Sequence, residues 1–98
     1  MISSFRGGKD SNLSQFMQEG ARVPTIPASI ESALSRKLSV IDSATKERDL
    51  FNPRSNNYER LSGTLDGWSS IRVNIHWRLI FQWRDGCAYE IYLDPHKY

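Results

Sequence analysis

The chain has 98 residues and a mass of 11.3 kDa, the size of one domain with a modest core. Hydrophobic residues at 39% and aromatics at 11% are too abundant for a disordered chain, while 13 basic and 11 acidic side chains leave a net charge of only +2. These values exclude a second core, a Rossmann-sized sheet, a barrel and a basic tail, so a nucleic-acid site has to come from arrangement rather than from bulk charge.

Ile2 to Phe5 reads as a short edge strand, ended by Gly7-Gly8. Asp10 or Ser11 can cap a first helix, because either side-chain oxygen can accept an orphan backbone N–H of the first turn. Leu13, Phe16 and Met17 then form one apolar stripe, and Gly20 stands where a helix C-terminal glycine belongs. Pro24 and Pro27 restrict the connection that follows. Ile30, Leu34, Leu38 and Ile41 recur at spacings of 4, 4 and 3, with Glu31, Arg36 and Lys37 off the stripe. This predicts a second helix from about Ala28 to Ala44. Residues 45–57 are polar, contain Asn52-Pro53, and read as a loop.

From Tyr58 the period changes to two. Ile71, Val73, Ile75, Trp77, Leu79, Phe81 and Trp83 are all apolar, and of their even-numbered neighbours only Ile80 is. So long an alternating run predicts two strands with a turn near Asn74 to His76. A second turn lies at Arg84-Asp85-Gly86. A two-residue loop there would set Arg78 opposite Leu93 and Glu90 beside Phe81. A three-residue loop with Gly86 left-handed and a bulge pairs Phe81 with Tyr89, Leu79 with Ile91, Arg78 with Tyr92 and His76 with Asp94. The second register separates apolar from polar side chains better and is the one expected. The fold class is therefore α+β: two N-terminal helices packed on one face of a small C-terminal antiparallel sheet. The other face is open and polar, collecting Arg72, Arg78, Tyr92, Asp94 and His96.

The single cysteine, Cys87, excludes an internal disulfide framework and suits a reducing compartment. No apolar run approaches the roughly 20 residues of a membrane span, and Met1 to Arg6 lacks the apolar stretch of a signal peptide. A small, soluble, cytoplasmic protein without a membrane partner is expected. There is no glycine-rich phosphate loop, and one cysteine with two histidines cannot furnish a usual four-ligand zinc site, so neither a metal nor a cofactor is expected.

An arginine, a tyrosine, a carboxylate and a histidine on one open face suit cleavage of RNA through its own 2′-OH. That reaction needs a base for the hydroxyl proton, a cation for the charged phosphorane and an acid for the leaving 5′-oxygen. Histidine titrates in the useful range, guanidinium matches phosphate with a planar fork, and exposed rings such as Trp68 and Tyr92 can stack on unpaired bases. The same quartet also fits an ordinary solvated sheet face, with Arg78 simply paired to Asp94 and His96 a polar terminus.

The run from Gly67 through Trp68, Arg72, Asn74, His76, Trp77, Arg78 and Gln82 to Trp83, followed by Asp85-Gly86 and by Tyr92-Leu93-Asp94-Pro95-His96-Lys97-Tyr98, resembles the HigB toxins of the RelE-like superfamily. Ser32 to Leu38 and Arg60-Leu61-Ser62-Gly63 are similar too, so the resemblance covers about Ile26 to Tyr98. It implies one toxin domain over residues 1–98, a ribosome-dependent endoribonuclease that enters the ribosomal A site and cleaves translated mRNA. It also implies neutralisation by a HigA-type helix-turn-helix antitoxin. The family's sheet arginine falls on Arg78, and its C-terminal Asp-aromatic-His triplet on Asp94 and His96, with Pro95 in place of the aromatic. A lysine often found before the loop glycine is Ser62 here, and an upstream histidine of some members has no counterpart. Arg78, Asp94 and His96 are thus the expected catalytic residues. Arg60, Trp68, Arg72, Tyr92 and Lys97 are the expected RNA contacts. The alternative is a non-catalytic module that binds ribosome or RNA and blocks translation.

Overall fold

The computed structural model describes residues 1–8, 11–20 and 22–95. Helix α1 is Asn12–Glu19; the Ser11 hydroxyl accepts from the Ser14 N–H at 3.2 Å, and Gly20 closes the helix at φ 65°. One orphan donor is satisfied at the start, and a residue without Cβ takes the left-handed conformation at the end. A single tight turn, Ala28–Ile30, leads into α2, Glu31–Ser43, so the helical stretch expected from Ala28 to Ala44 is present. Ile30, Leu34, Leu38 and Ile41 are buried along one stripe of it. Each such side chain contributes about 1.5–3 kcal/mol by leaving water, which is what holds a helix too short to persist alone.

Lys37 corrects the sequence reading. It lies on the buried side of α2, not off the stripe, and its ammonium donates to Asn56 Oδ1 at 2.7 Å and Ser55 Oγ at 3.1 Å. Burial, and then Arg36 beside it, hold its pKa below the ordinary lysine value. Asn56 is itself fully buried and donates to the Leu50 carbonyl at 3.0 Å. This chain of bonds ties the segment read as a loop to α2, and two short helical turns, Glu47–Phe51 and Arg54–Asn56, form within it.

The sheet is an antiparallel meander, β1 Glu59–Arg60, β2 Ser69–Arg72, β3 Trp77–Arg84 and β4 Cys87–Pro95, in that spatial order. Ile2 and Phe5 make isolated parallel bridges to Ala88 and Ile91, so the expected N-terminal strand takes the form of two separate bridges along β4. Leu79, Phe81 and Ile91 are fully buried beneath α2, with Trp77, Trp83 and Leu93 partly buried against the same core. Asn74 closes the β2–β3 turn by accepting from the His76 and Trp77 N–H groups at 2.8 and 2.9 Å, an Asx turn. Ile75, expected in the apolar stripe, is left 59% exposed at its tip because the turn interrupts the alternation there.

The hairpin register differs from the expected one. Asp85 and Gly86 form a two-residue turn, both with positive φ, of the kind whose twist matches the flanking strands. Carried on unchanged, that register would point Glu90 into the core against Phe81 and turn Ile91 outward. A bulge in β4 prevents this. Ile80 pairs with Tyr92 while Gln82 pairs with Tyr89, so β4 holds one residue more than β3 there, and Glu90 adopts φ 55°. Ser4 holds the bulge: its hydroxyl accepts from the Glu90 N–H and donates to the Glu90 carboxylate, each at 3.0 Å. The extra residue is thus in mid-strand and not at the turn, and beyond it Ile91 and Leu93 return to the core face. Arg78 consequently lies opposite Asp94, not Tyr92, and Tyr92 lies opposite Ile80. His76 belongs to the turn, and Asp94, its expected partner, lies opposite Arg78 instead.

Candidate functional site

Cross-strand partners share a face, so the register writes out the open side of the sheet. One row runs Arg72–Arg78–Asp94 across β2, β3 and β4. The next, two residues along, runs Glu59–Ser70–Ile80–Tyr92 from β1 to β4. Strands are spaced about 4.8 Å apart, which sets the two arginines side by side in the middle of the surface. Like charges directly opposite each other cost stability. Each guanidinium has a different partner to offset this. Arg78 Nε donates to Asp94 Oδ2 at 3.2 Å, with the two side chains 21% and 31% exposed. The Asn57 carboxamide, in the orientation that satisfies both groups, accepts from both terminal nitrogens of Arg72 at 3.2 Å.

A cleft of about 280 Å³ opens beside them, lined by Asn57, Glu59, Ser70, Arg72, Asn74 and Arg78 together with Tyr58 and Trp77. Asp94 stands on the far side of Arg78 from this cleft. Toward the other end of the face, Trp68 and Tyr92 meet edge to face with ring centroids 5.8 Å apart. Because β3 lies between their strands, that contact crosses over Ile80, which accounts for an isoleucine 1% exposed on an otherwise polar surface. The Arg6 guanidinium lies 4.5 Å from the centroid of the Tyr92 ring, so one face of that ring is already occupied.

The structure therefore brings together Arg72, Arg78 and Asp94 with Tyr92 on one face, as the sequence reading expected, and sets Trp68 against Tyr92. Arg60 does not join them. It pairs with Ser69, which pairs with Phe81, and this is the helix-facing side. There its Nε donates to Glu47 Oε2 at 2.6 Å and a terminal nitrogen bonds Glu47 Oε1. The Tyr58 hydroxyl also donates to Glu47, at 2.8 Å, and lies 3.0 Å from Ser69 Oγ. Arg60 and Tyr58 hold the Glu47 carboxyl below the usual carboxylate range, and burial pushes the Tyr58 hydroxyl up to about 12. This is a structural ion pair at the sheet edge. His96 and Lys97 lie outside the described residues.

Three residues of the open face escaped the sequence reading: Arg6, Asn57 and Glu59. A signal existed for Glu59. Tyr58 begins the two-residue period, and alternation from a buried tyrosine sends residue 59 to the opposite face. For Arg6 and Asn57 there was none, since both reach the face from irregular chain. Among the described residues no group of three or more His, Cys, Asp or Glu side chains could hold a metal ion.

A four-stranded meander, two helices on one side and paired arginines on the other, is the layout expected of a RelE-like toxin. Comparison with known proteins agrees. The family described as the RelE-like toxin of type II toxin-antitoxin system HigB matches residues 5–96. Toxin HigB-1 of Vibrio cholerae serotype O1 is 56% identical over 90 residues, covering 92% of this chain and 95% of that protein. A protein of Proteus vulgaris named Endoribonuclease HigB is 33% identical over 97 residues, 98% of this chain and all of that one. An uncharacterized protein of Haemophilus influenzae is 36% identical over 90 residues, 92% of this chain and 89% of that one. The chain belongs to the HigB family of RelE-like toxins, the toxin component of a type II toxin-antitoxin system. No helix among its described residues is long and apolar enough to cross a membrane.

Proposed function

We propose that this toxin is an endoribonuclease that cuts translated mRNA in the ribosomal A site by attack of the 2′-OH on the adjacent phosphate. The observation that carries the reading is the Arg72–Arg78 pair, set side by side on an open face beside a cleft and flanked by carboxylates. Two planar cations held together at a cost in stability suit an anion whose charge grows in the transition state. Arg78 stabilises the phosphorane, His96 acts in proton transfer, and Asp94 orients His96 or shares its work. Arg72, Trp68, Tyr92 and Lys97 contact RNA.

The weak net charge supports delivery of the substrate by the ribosome. A nuclease that captures free RNA needs many phosphate contacts, and each adds to affinity and to its salt dependence. The same reading makes the protein a single cytoplasmic domain whose partners are the 70S ribosome, mRNA and a helix-turn-helix antitoxin of the HigA type.

The test is to map 5′ ends on one mRNA incubated with purified protein, with and without translating ribosomes at matched salt. Cuts confined to the translated sample are expected. Rapid turnover of naked RNA counts against ribosome dependence, and arrested translation without new 5′ ends makes the protein a blocker that does not cut.

A further inference from the structure

Of the paired arginines, Arg78 is held by a carboxylate and Arg72 by a neutral amide. We propose that Asn57 is a positioning residue for Arg72: its carboxamide fixes the guanidinium at the cleft and leaves the positive charge uncompensated for phosphate. The inference rests on the ribonuclease reading and gives a task to a residue outside the catalytic set named there.

Asn57 is exposed, yet both its neighbours are anchored in the core. Asn56 is fully buried, bonded to the Lys37 ammonium of α2 and to the Leu50 carbonyl. Tyr58 is buried too, with its hydroxyl bonded to Glu47 and close to Ser69 of β2. Between these anchors the Asn57 N–H donates to the Arg54 carbonyl at 3.0 Å, and the residue takes φ 44° and ψ 46°. Its side chain lines the cleft with Arg72 and Arg78. Helix α2 and the sheet therefore fix the carboxamide from both sides, and little ordering remains to be done when it meets an arginine.

The carboxamide oxygen accepts from both terminal nitrogens of Arg72, each at 3.2 Å. A guanidinium carries five N–H groups in a rigid plane, so the contact leaves three. Among them is the parallel pair on Nε and the adjacent terminal nitrogen, which fits two oxygens of one phosphate. Arg78 is held the other way, through Nε, and keeps its terminal nitrogens for the same anion. A carboxylate at position 57 would hold Arg72 more tightly but would cancel its charge. With Arg72 directly opposite Arg78, a neutral acceptor keeps the paired positive charge that the transition state needs.

A left-handed residue can be asparagine for reasons of backbone alone, and glycine takes that conformation at no steric cost. Asn57→Gly thus keeps the turn and removes only the carboxamide, which separates the two roles.

The test is single-turnover cleavage of mRNA on programmed ribosomes, with ribosome cosedimentation and thermal unfolding on the same samples. The proteins are wild type, Asn57→Gly, Asn57→Asp, Arg72→Ala and the Asn57→Gly/Arg72→Ala double variant. Asn57→Gly should cut about 10- to 100-fold more slowly, the scale of a misaligned group, while ribosome binding and melting temperature hold. Asn57→Asp should melt no lower than wild type, because a charge-assisted bond replaces a neutral one, and should still cut about 10-fold more slowly or worse. On the Arg72→Ala background Asn57→Gly should cost nothing further, since it acts through the arginine that is gone. Asn57→Gly cutting at the wild-type rate, with Arg72→Ala impaired, overturns the positioning role and leaves the ribonuclease reading standing. A loss that adds in full to that of Arg72→Ala, or that comes with a lowered melting temperature, overturns it too. Asn57→Asp cutting like wild type refutes the need for a neutral acceptor, and Arg72→Ala cutting like wild type removes the group being positioned. A wild-type protein that makes no cut removes the ribonuclease reading and the inference with it.

Discussion

Replacing Arg78 with alanine should separate chemistry from folding. The side chain makes one ion pair, through Nε rather than a two-pronged fork, at 3.2 Å from Asp94, and both partners keep some contact with water at 21% and 31% exposure. Pairs this exposed contribute about 0–1 kcal/mol, and Asp94 left behind can hydrate. For a domain of this size 1 kcal/mol shifts the melting temperature by about 4–8 °C, so the variant should melt no more than that below the parent. Small domains have about 5–15 kcal/mol of stability, so nearly every molecule remains folded at growth temperature. The effect on rate should be far larger. Removing one preorganised donor aimed at developing charge costs about 10²–10³ in rate, or about 2.7–4 kcal/mol. Arg78→Lys should recover part of it, because the ammonium keeps the charge without the planar fork. The assay pairs thermal unfolding with cleavage of a translated mRNA at equal protein concentration. Wild-type cleavage by Arg78→Ala refutes the assignment. A rate loss accompanied by collapse of the melting temperature, well beyond the few degrees worked out here, refutes the separation of site from core.

Gly86→Ala should destabilise by about 2 kcal/mol or more: φ is +79°, which costs a side-chain-bearing residue about 1–2 kcal/mol, and the added Cβ would lie 2.8 Å from the Thr45 carbonyl oxygen. Denaturant unfolding measures this, and a change under 0.5 kcal/mol contradicts it. Glu47→Gln should lower stability near neutral pH and converge with the parent in acid. The Glu47 carboxyl sits below its ordinary 4.5 in the folded state, so its contribution is present above 4.5 and is lost as pH falls through the folded value. Melting temperature against pH checks the sign, and a gap that widens in acid is the wrong one.

Much of this molecule could be read directly from local pattern. The 4, 4, 3 spacing of Ile30, Leu34, Leu38 and Ile41 is a helix stripe wherever it occurs, and period-two alternation through Leu79 and Phe81 can bury only one face of a strand. Asn74 and Asp85-Gly86 mark turns because their own side chain or backbone closes them. On that basis Arg72, Arg78 and Asp94 fall on one open face by alternation alone.

What the sequence left open depended on partners distant in the chain. The hairpin turn and the buried face ask for different registers, and both are met only through an extra residue at Glu90, where Ser4, from the other end of the chain, bonds the bulge. Lys37 looks like a surface residue until Asn56 and Ser55 are folded over it. Arg60 and Glu59 are adjacent and equally polar. Glu47 engages the first on the helix side, and the meander brings the second up to Arg72 and Arg78. Periodicity is a property of neighbouring residues, so the sequence carries it. A bulge, a buried ammonium and the lining of a cleft are properties of contacts between segments, and only the packed chain decides them.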